Sequence, residues 1–527
     1  MGTDNLYILF SMLVYMAAVI FIGLFFAKRA NKNSEQYFLG GRSLGPWVTA
    51  MSAEASDMSG WLLMGLPGVA YWCGLADAMW TSIGLAVGTY LNWLIVSKRL
   101  RRYSVRANAI TLPEFFSNRF RENKKVIMFL SSAFILIFFT VYAASCFVTC
   151  GKLFSTLFGA PYIPMMILGA VFVLLYTILG GFLAESASDF MQAIVMIVAL
   201  GTIVVVGVVH AGGFGAMAEN VKEIPGFLEF FGIATPSLNA DGQQITEGAR
   251  AVFGDKTNYG LLTVLSTLAW GLGYFGMPQV LLRFMAIRKE GELKRSRRIA
   301  IVWVVVSLAA SVFIGILGRE LFPIAHLTKS SAESIFITLS ESFLPPILAG
   351  FVMAGILAAT ISSSDSYLLI AASAFSKNIF QGICKKNAND KQVMLISRIT
   401  LLVLALIGIF IAMDENSVIF QIVSFAWAGF GATFGPLVLF SLFWKRINRA
   451  GAVAGMVSGA GMVFLWKLVI SKLGGVFTIY ELLPAFIFSC ICIVVVSLLT
   501  APPSKEIEED FEAVATGNVD DSIEAAE

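Results

Sequence analysis

The sequence predicts an all-α membrane protein of about thirteen transmembrane helices, each an apolar run of roughly spanning length. Three observations carry that reading. Of 527 residues, 57% are hydrophobic and only 13% charged, and the mean hydropathy is +0.80; about a quarter of a soluble chain is charged. The apolar residues are gathered into long runs. The Lys and Arg residues cluster in alternate connections between those runs. The same figures exclude other classes. A net charge of +3 gives no basic surface for nucleic acid. Cys73, Cys146, Cys150, Cys384, Cys490 and Cys492 show neither metal-ligand spacing nor a disulfide framework, and His210 and His326 alone cannot build a His-based metal site. No covalent or organic cofactor is expected.

The first run, 6–27, lacks a cleavage site of small residues and leads straight into Lys28 and Arg29, so it reads as a retained helix and not a signal peptide. Further runs lie at 47–71, 78–97, 126–154, 163–179, 190–210, 261–285, 299–317, 346–375, 396–413, 420–443, 451–469 and 483–499. An odd number of crossings puts the termini on opposite sides of the membrane. Lys28/Arg29, Lys98/Arg99/Arg101/Arg102, Lys294/Arg295/Arg297/Arg298, Lys385/Lys386 and Lys445/Arg446/Arg449 then share one face, opposite the polar loop 211–260 and the turn 414–416. The positive face is cytoplasmic, so a multi-pass protein of the cell membrane is expected with its N-terminus outside and its C-terminus inside.

The resulting organisation is an N-terminal helix and loop (1–44), a first repeat (45–210), an outer loop (211–260), a second repeat (261–443), C-terminal helices (444–500) and a tail (501–527). The tail is acidic and poor in aromatics, a composition expected to lack structure. Gly451, Gly455 and Gly459 recur every fourth residue, the spacing that lets helices approach closely.

Residues 52–68, SAEASDMSGWLLMGLPG, do not read as an ordinary spanning helix. Glu54 and Asp57 sit among small and hydroxyl residues, followed by Gly60, Gly65 and Gly68. Backbone that leaves the helix at membrane depth is tolerated only where it lines a cavity or is buried in protein. A carboxylate there costs about 2.5–3.5 kcal/mol on insertion scales and marks an ion or substrate path. A second irregular stretch, WGLGYFGMPQVLLR at 270–283, carries Gly271, Gly273, Gly276 and Pro278. Its G-x-G-x-x-G is no dinucleotide fingerprint, because no strand precedes it. Paired interrupted helices in corresponding halves point to an inverted-repeat transporter with its site between them.

These stretches, together with FLGGRSLGPWVTA, FFTVYAAS, GGFLAES and AWAGFGATFGPLVLFSLFWKR, resemble the sodium:solute symporter family, in order and over nearly all of the membrane part. The resemblance implies a leucine-transporter-like core of two five-helix inverted repeats, with extra helices at both ends, that couples sodium entry to uptake of L-proline. It implies a sodium site made of the Ala55, Met58 and Ala359 carbonyls and the Ser362 and Ser363 hydroxyls. Oxygen ligands of that kind suit a hard cation; serines that merely bond back to their own helix are the alternative. It implies coupling roles for Asp57 and Asp189. A carboxylate capping the next half-helix remains open for Asp57, and an interfacial charge for Asp189. Tyr142, Trp270, Tyr274 and Pro278 match positions tied to substrate binding and its gates, and Ser59, Gly60 and Trp61 complete the expected pocket. Glu54 stands where the family pattern has glycine; a polar neighbour or altered ion or proton coupling could explain it.

Other solutes of the family (pantothenate, a monocarboxylate or a sugar) stay open. An ion channel would show rings of like residues, and an enzyme a nucleophile with its base; neither grouping is visible, nor is a Walker-type ATP motif.

Overall fold

The computed structural model describes residues 3–30 and 33–517. Its principal helices are α1 (Thr3–Ala30), α2 (Pro46–Asp57), α3 (Trp61–Cys73), α4 (Leu75–Arg106), α5 (Leu112–Arg119), α6 (Val126–Phe158), α7 (Tyr162–Ile178) and α8 (Gly181–His210). They continue as α9 (Leu261–Gly276), α10 (Pro278–Ala286), α11 (Glu290–Leu321), α12 (Ile335–Phe343), α13 (Pro346–Cys384), α14 (Asp390–Ile411), α15 (Ile419–Phe443), α16 (Arg449–Leu473), α17 (Leu482–Leu499) and α18 (Lys505–Thr516).

Among the described residues, ten helices are long and apolar enough to cross a membrane, or up to eleven when the bent pair α9–α10 is taken as one span. The expected run 47–71 is absent from that count for a physical reason. It is interrupted between Asp57 and Trp61, so neither half reaches spanning length. The second expected interruption is also present. Met277 is extended (φ −75°, ψ 109°) between α9 and α10, which are bent by 42°. Pro278 then starts α10 at a position where its missing N–H costs nothing. Between α7 and α8 the chain turns at Gly181 (φ 60°, ψ 179°), a conformation open to glycine.

The most buried helices surround these breaks: α13 and α15 have 83% of their most apolar windows inside the protein, against 28% for α1 and α16. The glycine stripe on α16 packs as expected, Gly451 and Gly455 against Ile493 and Ser497 or Ser489 of α17, and Gly459 against the Ala432 backbone.

Two polar segments are ordered. Loop 211–260 is folded, with Gly232–Ile233 paired to Thr257–Asn258 and Thr246–Glu247 to Arg250–Ala251. It is fixed to the helices by Leu75 N–H to the Phe227 carbonyl (2.7 Å) and by Arg319 to Gln244 (3.1 Å). The acidic tail is not structureless: 505–516 form α18, while 518–527 lie outside the described residues. Its charge hides a stripe of Ile507, Phe511 and Val514, which pack inward.

Candidate substrate and sodium site

Helix α2 ends where Met58 turns out of helical geometry (φ −86°, ψ 78°). Carbonyls at a helix end lose their i+4 partners and need others. The Ala55 carbonyl accepts the Ser362 hydroxyl at 2.8 Å and the Ser363 hydroxyl at 3.2 Å. Ser362 also lies 3.2 Å from the Ala359 carbonyl. Four of the five expected sodium ligands therefore form one buried group between α2 and α13. Met58, the fifth, follows at the end of the helix, its N–H bonded to the Glu54 carbonyl at 2.8 Å. The group is all oxygen and uncharged, a donor set that fits a hard monovalent cation. Ser364, in the same run, turns its hydroxyl back to the Thr360 carbonyl (2.6 Å).

Asp57 is fully buried with no basic partner among the described residues. Tyr274 donates to its Oδ2 at 2.7 Å and Gln279 to its Oδ1 at 3.1 Å, so the carboxylate at the first break is held by both sides of the second. Its carbonyl takes the Ser59 N–H (3.1 Å) and three side chains: Trp61 Nε1 (3.3 Å), the Tyr142 hydroxyl (3.4 Å) and the Tyr367 hydroxyl (3.5 Å). The rings of Tyr142 and Tyr367 lie 4.2 Å apart. The Ser59 hydroxyl is buried here, beside Tyr142. A Cβ on Gly60 would collide with Thr149 of α6, which is why the break runs so close to that helix.

Trp270 and Tyr274, four residues apart, share a face. Both pack on Trp427 of α15, with ring centroids at 5.9 and 5.0 Å, and Trp270 also stacks on Tyr480 at 5.0 Å. Pro278 stands apart from this group. It faces a crevice of about 10 Å³ lined by Phe38, Leu112, Leu282 and Ile370, too small for a solute.

Asp189 is fully buried in the protein. Its Oδ2 accepts Ser52 at 2.6 Å and Arg283 at 3.1 Å. Arg283 also pairs with Glu185 and bonds Ser366 at 2.9 Å, which ties α2, α8, α10 and α13 together through one guanidinium. Glu54 has a polar neighbour: Trp93 Nε1 donates to its Oε1 at 3.2 Å.

Sequence reading missed Gln279, Arg283, Glu185 and Tyr367. Tyr367 could have been found, since it lies four residues beyond Ser363 on the same helical face. The other three have no local pattern.

Residues 37–459 match the sodium:solute symporter family. The chain belongs to that family. Its relatives in it include the sodium/proline symporter of Staphylococcus aureus (strain USA300 / TCH1516), 40% identical over 508 residues, which are 95% of this chain and 94% of that one. The same protein of strain JH9 is equally similar, 40% over 508 residues. Among solved structures, a substrate-bound, outward-open Na+-coupled sialic acid symporter aligns with a TM-score of 0.73 at 18% identity, covering 96% of this chain and 99% of its own. The inward-facing form of Mhp1 aligns at 0.51 with 11% identity, over 90% and 95%. These likenesses show a shared transporter fold.

Proposed function

We propose that the protein is a sodium-coupled symporter that imports L-proline by alternating access. The observation that carries this is the convergence at one break: Ser362 and Ser363, beside the Ala359 carbonyl, meet the Ala55 carbonyl two residues before Asp57, whose carboxylate the aromatic pocket holds through Tyr274. The relationship to sodium/proline symporters at 40% identity supports proline as the solute.

In this reading Met58 supplies the fifth sodium ligand, and Asp57 and Asp189 couple the ion to the substrate. Ser59, Gly60, Trp61, Tyr142, Trp270 and Tyr274 surround the substrate, with Pro278 at its inner gate. The free end of α2 and the start of α10 offer carbonyls to the amine and N–H groups to the carboxylate of the zwitterion. The chain crosses the cell membrane thirteen times, α2–α3 and α9–α10 being one broken span each, with two five-span repeats, the N-terminus outside and the C-terminus in the cytoplasm. One sodium ion entering down about 100 mV releases roughly 2.3 kcal/mol, and a tenfold gradient adds about 1.4. That suffices to concentrate a neutral zwitterion several hundredfold.

The test is uptake of labelled L-proline by the purified protein in liposomes under an inward sodium gradient, with counterflow against a solute panel. Equal uptake in sodium and choline rejects the mechanism, and a better competitor than proline reassigns the solute.

A further inference from the structure

Helix α18 closes over a basic surface built by both halves of the chain. Asp510 pairs with Arg106 (2.9 Å) and Arg121 (2.8 Å), and Glu506 with Arg121 (2.6 Å). Glu508 and Glu512 pair with Lys445 at 3.1 and 2.6 Å. At the other end Arg102 donates to the Val514 carbonyl (3.3 Å) while its guanidinium also holds Glu290 at the start of α11. Arg102 and Arg106 end α4 and Arg121 follows α5, all in the first repeat; Lys445 follows α15, the last helix of the second. Val514 and Ile507 are buried beneath the pairs, and the Arg119 guanidinium covers the Phe511 ring at 5.6 Å.

We infer that α18 is a detachable strap that joins the inner ends of the two repeats and restrains their movement during transport. Three features support this. The strap packs on the Ser97–Arg106 end of α4, and the neighbouring α5, whose Arg119 covers Phe511, supplies Leu112 and Pro113 to the crevice that Pro278 also lines. Alternating access requires one repeat to rock against the other, and a bridge from α4 to α15 opposes that. The flanking sequence Ala501–Ser504 has no regular secondary structure and contains Pro502 and Pro503, so the strap can swing free without unfolding α17. The pairs are solvent-accessible, with side chains of Glu506 and Glu512 at least 60% exposed, so salt weakens the grip. Burial works against the Asp510 charge, yet Arg121 and Arg106 hold its carboxyl below the ordinary range, so acid loosens the strap only below the usual aspartate pKa of 3.8.

The inference rests on the transport reading for its activity readout, so the experiment includes one that does not. Trypsin cleavage after Lys505 in the purified full chain should accelerate as salt rises from about 20 to about 300 mM, and Asp510→Lys should cleave fast at both. In liposomes, the chain truncated after Pro503 and the Asp510→Lys variant should turn over solute about threefold to tenfold faster than the full chain at low internal salt, with that difference gone at high salt. Salt-independent cleavage, or equal rates for the full and released forms, overturns the strap. Faster cleavage with no proline uptake in any form instead removes the transport reading and leaves the detachable contact standing. If truncation prevents folding, Asp510→Lys alone decides.

Discussion

Ser362→Ala removes one oxygen from the proposed sodium site and little else. In the structure the hydroxyl reaches the Ala55 carbonyl at 2.8 Å and the Ala359 carbonyl at 3.2 Å. Losing a bond between neutral groups costs about 1 kcal/mol, and the Ala55 carbonyl keeps Ser363 at 3.2 Å. The unfolding midpoint should move by no more than about 2 °C. With an ion bound the same oxygen faces a full charge, where a polar contact is worth about 1.5–3 kcal/mol. The sodium concentration for half-maximal uptake should therefore rise about 10- to 150-fold, with the maximal rate restored at saturating sodium. Ser363→Ala should behave alike and more mildly, its contact being longer. Ser364→Ala is the internal control, because that hydroxyl points back along its own helix and its loss should leave sodium dependence unchanged. The assay is uptake against sodium titration in liposomes. A half-maximal sodium concentration within twofold of the wild type for folded Ser362→Ala, or an equal rise for Ser364→Ala, refutes the assignment.

Asp57→Asn should sharply weaken sodium dependence, while Tyr274→Phe, which frees Oδ2, should raise the proline KM about tenfold; both are read by uptake kinetics. Arg283→Met leaves Glu185 and Asp189 buried without their cation and should destabilise the protein by about 3–5 kcal/mol, seen as a collapse of the melting temperature in detergent. His326, in the loop after α11, is pushed by burial and the nearby Arg319 from its ordinary 6.5 down to about 4. The unfolded chain thus takes up a proton in that window before the folded one does. Stability should fall as pH drops from about 6.5 toward 4, by at most about 1.4 kcal/mol per unit, and His326→Gln should flatten that slope in a thermal-shift series.

Both helix breaks were legible in the sequence because glycine, proline and hydroxyl residues inside apolar runs have few other uses. The sodium group followed from the family likeness together with the serine run 362–364. What stayed hidden was long-range pairing. Nothing local tells that Arg283, at the end of an apolar helix, meets Glu185 almost a hundred residues earlier, or that Gln279 reaches Asp57. Pro278 was grouped with the pocket on the family likeness; in the structure it lines a small crevice with Phe38, Leu112, Leu282 and Ile370. The tail was misjudged for a different reason. Composition outweighed spacing, although Ile507, Phe511 and Val514 recur at helical intervals and needed only a basic floor to fold upon.

The carbonyl of Asp57 has a mechanical meaning. Two phenols, from α6 and α13, hang on it at 3.4 and 3.5 Å, near the outer limit of a hydrogen bond. Ties that long yield readily to a charged donor. A guest amine that claimed this oxygen would displace both phenols in a single exchange, so that one arrival at the break is felt by side chains on two helices at once.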